Sequence, residues 1–155
     1  MDEKQMLIGQ LDQAHATMQK ILDEIEPHRE IYPPWTFKEI LAHIIGWDEV
    51  SEMALRAHAK GEEAGTPAAR GIDHYNVHSV STRESLNYDQ IVKEWNLARE
   101  QFKQAILELP EEKLPETMLF PWGQTGTAAQ IVGIMVHHEI EHAEEIANMI
   151  AGAEL

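Results

Sequence analysis

Two histidines four residues apart, His138 and His142, give this chain its clearest chemical signal. Positions i and i+4 of an α-helix lie one above the other on the same face, so two imidazoles at this spacing can bind one transition-metal ion from a single helix. A metal ion needs a further protein ligand, and the chain offers His43 far upstream. We therefore predict that His43, His138 and His142 bind one divalent transition-metal ion per chain.

Three imidazole ligands would leave one coordination position open, which is typical of catalytic rather than structural zinc sites. An ion held in this way would bind a thiol as thiolate or lower the pKa of a water molecule towards about 7. The predicted function is therefore a metal-dependent reaction on a small molecule, either thiol transfer or hydrolysis. The alternative is a non-enzymatic protein, in which the metal ion stabilises the helix bundle or the protein responds to metal or stress. Residues that could assist a reaction are Asp48, His74, Tyr75, His78, Arg83 and Glu141.

The segment from His138 to His142 also matches the H-E-x-x-H pattern of zinc proteases, with Glu139 in the place of the general base. Those enzymes take their third ligand downstream, whereas no histidine follows His142 here. Glu139 and His142 also form one E-x-x-H motif, which is half of a di-iron site, but no second such motif is present. We therefore predict one metal ion rather than two, and no peptidase activity.

Helical periodicity predicts that all three histidines face the interior. The apolar stripe that contains His43 consists of Ile40, Trp47, Val50 and Ala54. The stripe that contains His138 and His142 consists of Ile131, Ile134, Met135, Ile146 and Met149. Burial of an unpaired polar ring costs a few kcal/mol, which a shared metal ion would remove. Taken singly, each histidine could instead be satisfied by a carbonyl or a carboxylate. His137 is rotated by about 100° from His138 and is predicted to lie outside the site.

Four segments have the periodicity and the end signals of long helices. They run over residues 3–26, 36–60, 87–109 and 127–151. Three of them begin with a capping-box pattern, formed by Thr36 and Glu39, by Asn87 and Gln90, and by Thr127 and Gln130.

No stretch alternates apolar and polar residues well enough to predict a strand. The connection over residues 61–86 is too long for an ordinary loop between helices, so it is predicted to contain a short helix or a lid. The loop over residues 110–126 is rich in proline and glycine and is predicted to be a shaped turn. We predict an all-α fold in which residues 1–155 form a single four-helix bundle, with a long connection between helices 2 and 3.

The composition restricts the partners of the chain. A formal net charge of −15, with only 12 Lys and Arg, disfavours nucleic acid and anionic membrane surfaces. No apolar run approaches the roughly 18 residues of a membrane span, and the first residues lack the pattern of a signal peptide. The absence of cysteine excludes disulfides and thiolate ligands. We expect a cytoplasmic protein with a small-molecule substrate.

The first predicted helix has apolar residues on more than one face, which predicts a homodimer. These residues are Met6, Leu7, Leu11, Ala14, Met18, Ile21, Leu22 and Ile25. Packing of the long connection over this helix would be another explanation for the same breadth.

The segments Trp35–His43, Pro121–Thr125 and His138–Ile146 together resemble the DinB-like superfamily of metalloenzymes, and the resemblance extends over nearly the whole chain. It implies a four-helix bundle in which one histidine of the second helix and an H-x-x-x-H pair of the last helix bind a divalent ion, often zinc or nickel. The matching residues here are His43, His138 and His142. Relatives of known activity include transferases and isomerases that use mycothiol or bacillithiol, so the resemblance implies a low-molecular-weight thiol as a candidate partner, and homodimers are common.

Overall fold

The computed structural model describes residues 2–153, and this part of the chain is mostly helical. In chain order its elements are α1 (Glu3–Glu24), β1 (Glu30–Tyr32), β2 (Trp35–Thr36), α2 (Phe37–Ala59), α3 (Ile72–Ser81), α4 (Tyr88–Glu108), β3 (Met118–Leu119), β4 (Thr125–Gly126) and α5 (Ala128–Ala153). A short 3₁₀ helix, Glu111–Lys113, follows α4. The four long helices correspond to the four predicted segments. The predicted domain also includes Met1, Glu154 and Leu155, which lie outside the described residues.

The described residues form five α-helices, the four long ones and one more, so a count of four helices is not confirmed. The additional helix is α3, which lies in the long connection where a short helix or a lid is predicted. Its only residue classed as buried is Ser79, so it lacks the apolar stripe that reveals a helix in a sequence. It packs against α2 at Gly46, where an added Cβ would lie 2.2 Å from Ser79 Oγ. Tyr75 Oη also donates a hydrogen bond to the Gly46 carbonyl at 2.7 Å.

The expectation of no strands is wrong for two short hairpins. β1 pairs with β2 and β3 pairs with β4, both antiparallel. Each strand has only two or three residues, which is too short to show an alternating pattern. The hairpins matter because they bring Tyr32 to His142 of α5 and Trp122 to Trp47 of α2.

The capping-box patterns mark real helix starts. The Glu39 carboxylate accepts a hydrogen bond from the Thr36 N–H at 2.9 Å. The side-chain oxygen of Gln90 accepts from the Asn87 N–H at 2.8 Å, and that of Gln130 accepts from the Thr127 N–H at 2.8 Å. Each bond satisfies a backbone donor that the first helical turn leaves free, so the predicted starts of α2, α4 and α5 are confirmed within one residue.

The long helices pack chiefly in two pairs, α2 against α4 and α1 against α5. Trp47, Trp95 and Met135 are buried, as predicted for core residues. Most of the predicted stripe of α5 also faces inward, but Ile134 is 42% exposed. No described helix is both long enough and apolar enough to cross a membrane.

The apolar residues of α1 are mostly used inside the protein. Of the eight residues behind the homodimer prediction, six are buried, Leu22 is half-buried and Met6 is exposed. The helix in the long connection, α3, packs on α2. It therefore does not explain why α1 has apolar residues on more than one face. The homodimer stays a prediction.

Candidate metal centre

The structure brings the three predicted histidines together. His43 extends from α2 and is 3% exposed, whereas His138 and His142 extend from α5 and are half-buried. The Nε2 atom of His138 lies 2.9 Å from Nε2 of His43 and 3.0 Å from Nε2 of His142. One ring nitrogen of each residue lies within 4.8 Å of those of the other two. We call these three residues the histidine triad.

The histidine triad has the donor set that a divalent transition metal needs. Nitrogens bound tetrahedrally to zinc at about 2.0–2.1 Å are separated by about 3.3 Å, so the Nε2 atoms of His43 and His142 would each have to move only a few tenths of an ångström away from His138 Nε2. Burial, with a smaller contribution from the neighbouring histidines, lowers the pKa of His43 to about 3. Burial also lowers the pKa of His138 to about 4 and lowers that of His142. All three rings are therefore neutral near pH 7, as metal ligation requires.

Tyr32, at the end of β1, determines which nitrogen of His142 carries the proton. Its hydroxyl lies 3.2 Å from His142 Nδ1 and donates a hydrogen bond to the Glu145 carboxylate. A phenol has one proton to donate, so Tyr32 must accept from His142 Nδ1–H. This tautomer leaves a lone pair on His142 Nε2, directed at the rest of the triad. Metal-binding histidines are commonly oriented in this way by a hydrogen bond on the other ring nitrogen.

A second polar cluster lies in the interior and consists of Asp48, Arg99 and Glu139, which we call the charge cluster. Arg99 is 2% exposed and donates to Asp48 from Nε at 3.0 Å and from Nη2 at 3.3 Å. It also donates to the Leu11 carbonyl at 3.1 Å and to Glu139. Burial raises the pKa of Asp48 and raises that of Glu139 to about 7, while Arg99 opposes both shifts. The cluster links all four long helices.

The position of Glu139 argues against the protease pattern. Its side chain is only 1% exposed and is engaged by Arg99, so it does not stand free to activate a water molecule. Arg99 is not among the functional residues predicted from the sequence. Its position in the sequence could have indicated a buried charge, because Arg99 lies in the apolar stripe of α4 between Trp95 and Phe102, at steps of four and three residues.

The structure separates most of the proposed helper residues from the histidine triad. His74, His78, Tyr75 and Arg83 line a cavity of about 600 Å³ whose wall contains none of the triad residues. Asp48 belongs to the charge cluster.

Glu141 is the helper that shares a cavity with a triad residue, because it and His138 line the same one. His137 is exposed and lies 3.6 Å from the Glu141 carboxylate, outside the triad as predicted.

Two cavities adjoin His138. The larger, of about 670 Å³, is also lined by Phe120, Gln130, Ile134 and Glu141 among others. The smaller, of about 130 Å³, we call the tryptophan pocket. It is lined by Trp47, Ile72, Trp122, Ile134, Met135 and His138. Ile134 and His138 are shared, so the two cavities meet at the edge of the histidine triad.

Comparison with known proteins agrees with this fold. A family model described as the DinB superfamily matches residues 10–146, which is most of the chain. The protein therefore belongs to the DinB superfamily, as the resemblance in its sequence indicates. No curated protein matches the chain.

Two solved structures have a similar fold. They are mycothiol-dependent maleylpyruvate isomerase, at 14% sequence identity, and a histidine-to-alanine mutant of such an isomerase, at 12%. Each aligns with 94% of this chain at a TM-score of 0.76, and this chain spans 61% of the length of each. At such identities the similarity shows the fold alone.

Proposed function

We propose that this protein is a metal-dependent enzyme that acts on a small molecule, of the thiol-transferase or hydrolase type. His43, His138 and His142 are the proposed ligands of one divalent ion, with zinc or nickel as the first candidates because imidazole suits both. The observation that carries the proposal is the meeting of three neutral imidazoles, in which His138 Nε2 lies 2.9 Å from His43 Nε2 and 3.0 Å from His142 Nε2. The description of the solved neighbours as mycothiol-dependent supports testing thiols first.

The exposure of the histidine triad favours a reactive site over a purely structural one. His43 is buried, but His138 and His142 are half-buried and His138 lines two cavities. A small molecule can therefore approach the triad from the side of α5. A structural metal site, which only holds the helices together, would not need to be accessible to a small molecule.

The protein's own residues hold and orient the ligand rings. When bound, a divalent ion supplies Lewis acidity, which favours the thiolate form of a thiol or lowers the pKa of water. Tyr32 and Glu145 keep the proton of His142 on Nδ1. The charge cluster ties α2 to α5, the two helices that carry the triad. Trp47 and Met135 line the tryptophan pocket on one side of His138.

Cobalt substitution tests this proposal, because the visible spectrum of cobalt reports changes at the ion. We expect small thiols to change the spectrum of the cobalt-loaded protein, and His138→Ala to abolish both this change and any turnover. His137→Ala is the matched control, because this neighbour is exposed and outside the triad. A spectrum that is indifferent to thiols, azide and pH would overturn the proposal and favour a structural or sensory metal.

A further inference from the structure

The tryptophan pocket has a wall that lacks charged groups. Five of its six lining residues are apolar or aromatic, the sixth is the triad residue His138, and no lysine, arginine, aspartate or glutamate lines it. Its walls come from α2, the start of α3, the β3–β4 turn and α5. Parts of the chain that are distant in sequence therefore converge on one small apolar space next to the histidine triad.

The two tryptophans of the pocket direct their polar atoms to other residues. Trp47 Nε1–H donates to Asn76 Oδ1 at 2.8 Å, and Trp122 Nε1–H donates to Gln124 Oε1 at 2.9 Å. Their ring centroids are 5.9 Å apart with an interplanar angle of 71°. Because both indole donors are already used, the two rings offer only carbon surface to a molecule in the pocket.

Two of the large apolar side chains that line the pocket are more exposed to solvent than core residues are. Ile72 is 57% exposed and Ile134 is 42% exposed. Large apolar side chains that are clustered and open to water around a concavity are typical of binding sites. An apolar group seated in the pocket would cover both isoleucines.

We propose that the tryptophan pocket binds an uncharged apolar part of the substrate, of the size of a benzene ring or a branched alkyl group. A cavity of about 150 Å³ with apolar walls can hold benzene, and this pocket measures about 130 Å³. A carboxylate placed there would lose its hydration, and no lysine or arginine among the lining residues would pair with it. The inference rests on the proposed function, because it specifies the substrate class of the same site: a small molecule with its reacting group near the triad and an apolar substituent between the two tryptophans.

Two thiols of similar size test the preference. Cobalt-loaded protein is titrated with 3-methylbutane-1-thiol, which is uncharged outside the thiol, and with 3-mercaptopropionate, which carries a carboxylate. We expect the first to bind at least about tenfold more tightly, since it buries two or more additional carbon groups. Ile134→Lys places a cation at the exposed rim and should reverse the preference. Leu97→Ala, which removes an exposed apolar side chain of α4 outside the pocket, should leave it unchanged.

A probe without a thiol separates this inference from the proposed function. Toluene is titrated into the protein while the methyl NMR signals of Ile72, Ile134 and Met135 are followed. We expect these three signals to shift together, and Trp122→Ala to weaken the effect at least about tenfold.

The two experiments together have distinct outcomes. If toluene shifts these methyl signals while no thiol changes the cobalt spectrum, the pocket is supported and thiol chemistry fails. If thiols change the spectrum without an apolar preference and toluene shifts none of the signals, the pocket inference is overturned and the proposed function stands.

Discussion

The interior of this protein contains two polar clusters that are built on the same helices but satisfied in different ways. His43 and Asp48 both lie on α2, and His138 and Glu139 are neighbours on α5. In the charge cluster, Arg99 donates to two carboxylates and a backbone carbonyl. In the histidine triad, neutral rings direct nitrogens at one another, and His43 Nδ1 has no hydrogen-bond partner.

From this difference we infer that the charge cluster stabilises the fold and that the histidine triad is the site for a metal ion. The charge cluster contains donors and acceptors of opposite charge, so Arg99 pairs with both carboxylates within the protein, although Glu139 Oε1 has no hydrogen-bond partner. The triad contains three groups of one kind with depressed pKa values, and an additional cation would satisfy all of them at once.

Removal of Arg99 should destabilise the fold severely. Arg99→Met leaves Asp48 and Glu139 buried without their cation, and breaking a buried pair in this way costs about 3–5 kcal/mol. Urea unfolding of the variant and the wild type measures the difference. Arg56→Ala is the control, because Arg56 pairs with Glu52 and Glu108 at a more exposed site. The control should cost at most about 1 kcal/mol. A loss below that for Arg99→Met would mean that the charge cluster contributes little to stability.

Metal should stabilise the fold through the triad and not through the charge cluster. At a free zinc concentration of about one hundred times its Kd, binding to the folded state adds about 2.7 kcal/mol to the free energy of unfolding. Thermal unfolding with zinc and after removal of zinc by a chelator measures this gain. The gain should be absent in His43→Ala and present in Arg56→Ala. An equal gain in His43→Ala would place the binding elsewhere.

Loss of the Tyr32 hydroxyl should weaken metal binding without abolishing it. Tyr32→Phe removes the group that fixes the proton of His142 on Nδ1, and loss of such an orienting partner typically lowers metal affinity about 10–100-fold. Competition titration with a chromophoric chelator measures the affinity. Tyr88→Phe is a matched control, because the Tyr88 hydroxyl is buried without a hydrogen-bond partner. Equal affinities in the two variants would contradict the assigned role of Tyr32.

The sequence predicts the long helices well because their signals are local. The capping boxes at Thr36, Asn87 and Thr127 specify where three helices begin, and periodicity places His43, His138 and His142 on inward stripes. The short strands and α3 carry no such pattern, since turns and contacts with other elements determine them. Ile134 also departs from the predicted burial, because it lies between the two cavities that adjoin His138.

The charge cluster and the role of Tyr32 could not be predicted in the same way. Arg99 is visible as a charged residue in an apolar stripe, but only the fold shows that Asp48 and Glu139 meet it. Tyr32 is 110 residues away from His142 in the chain, and a three-residue strand brings its hydroxyl to the ring. Contacts of this kind depend on tertiary packing.

Elemental analysis of protein purified without a His tag tests the central claim most directly. We expect about one divalent transition-metal ion per chain in the wild type and in His137→Ala, and below about one-tenth in each of His43→Ala, His138→Ala and His142→Ala, since a three-ligand site rarely survives the loss of one ligand. Full metal content in all three triad variants would contradict the assignment and show that the ion is bound elsewhere.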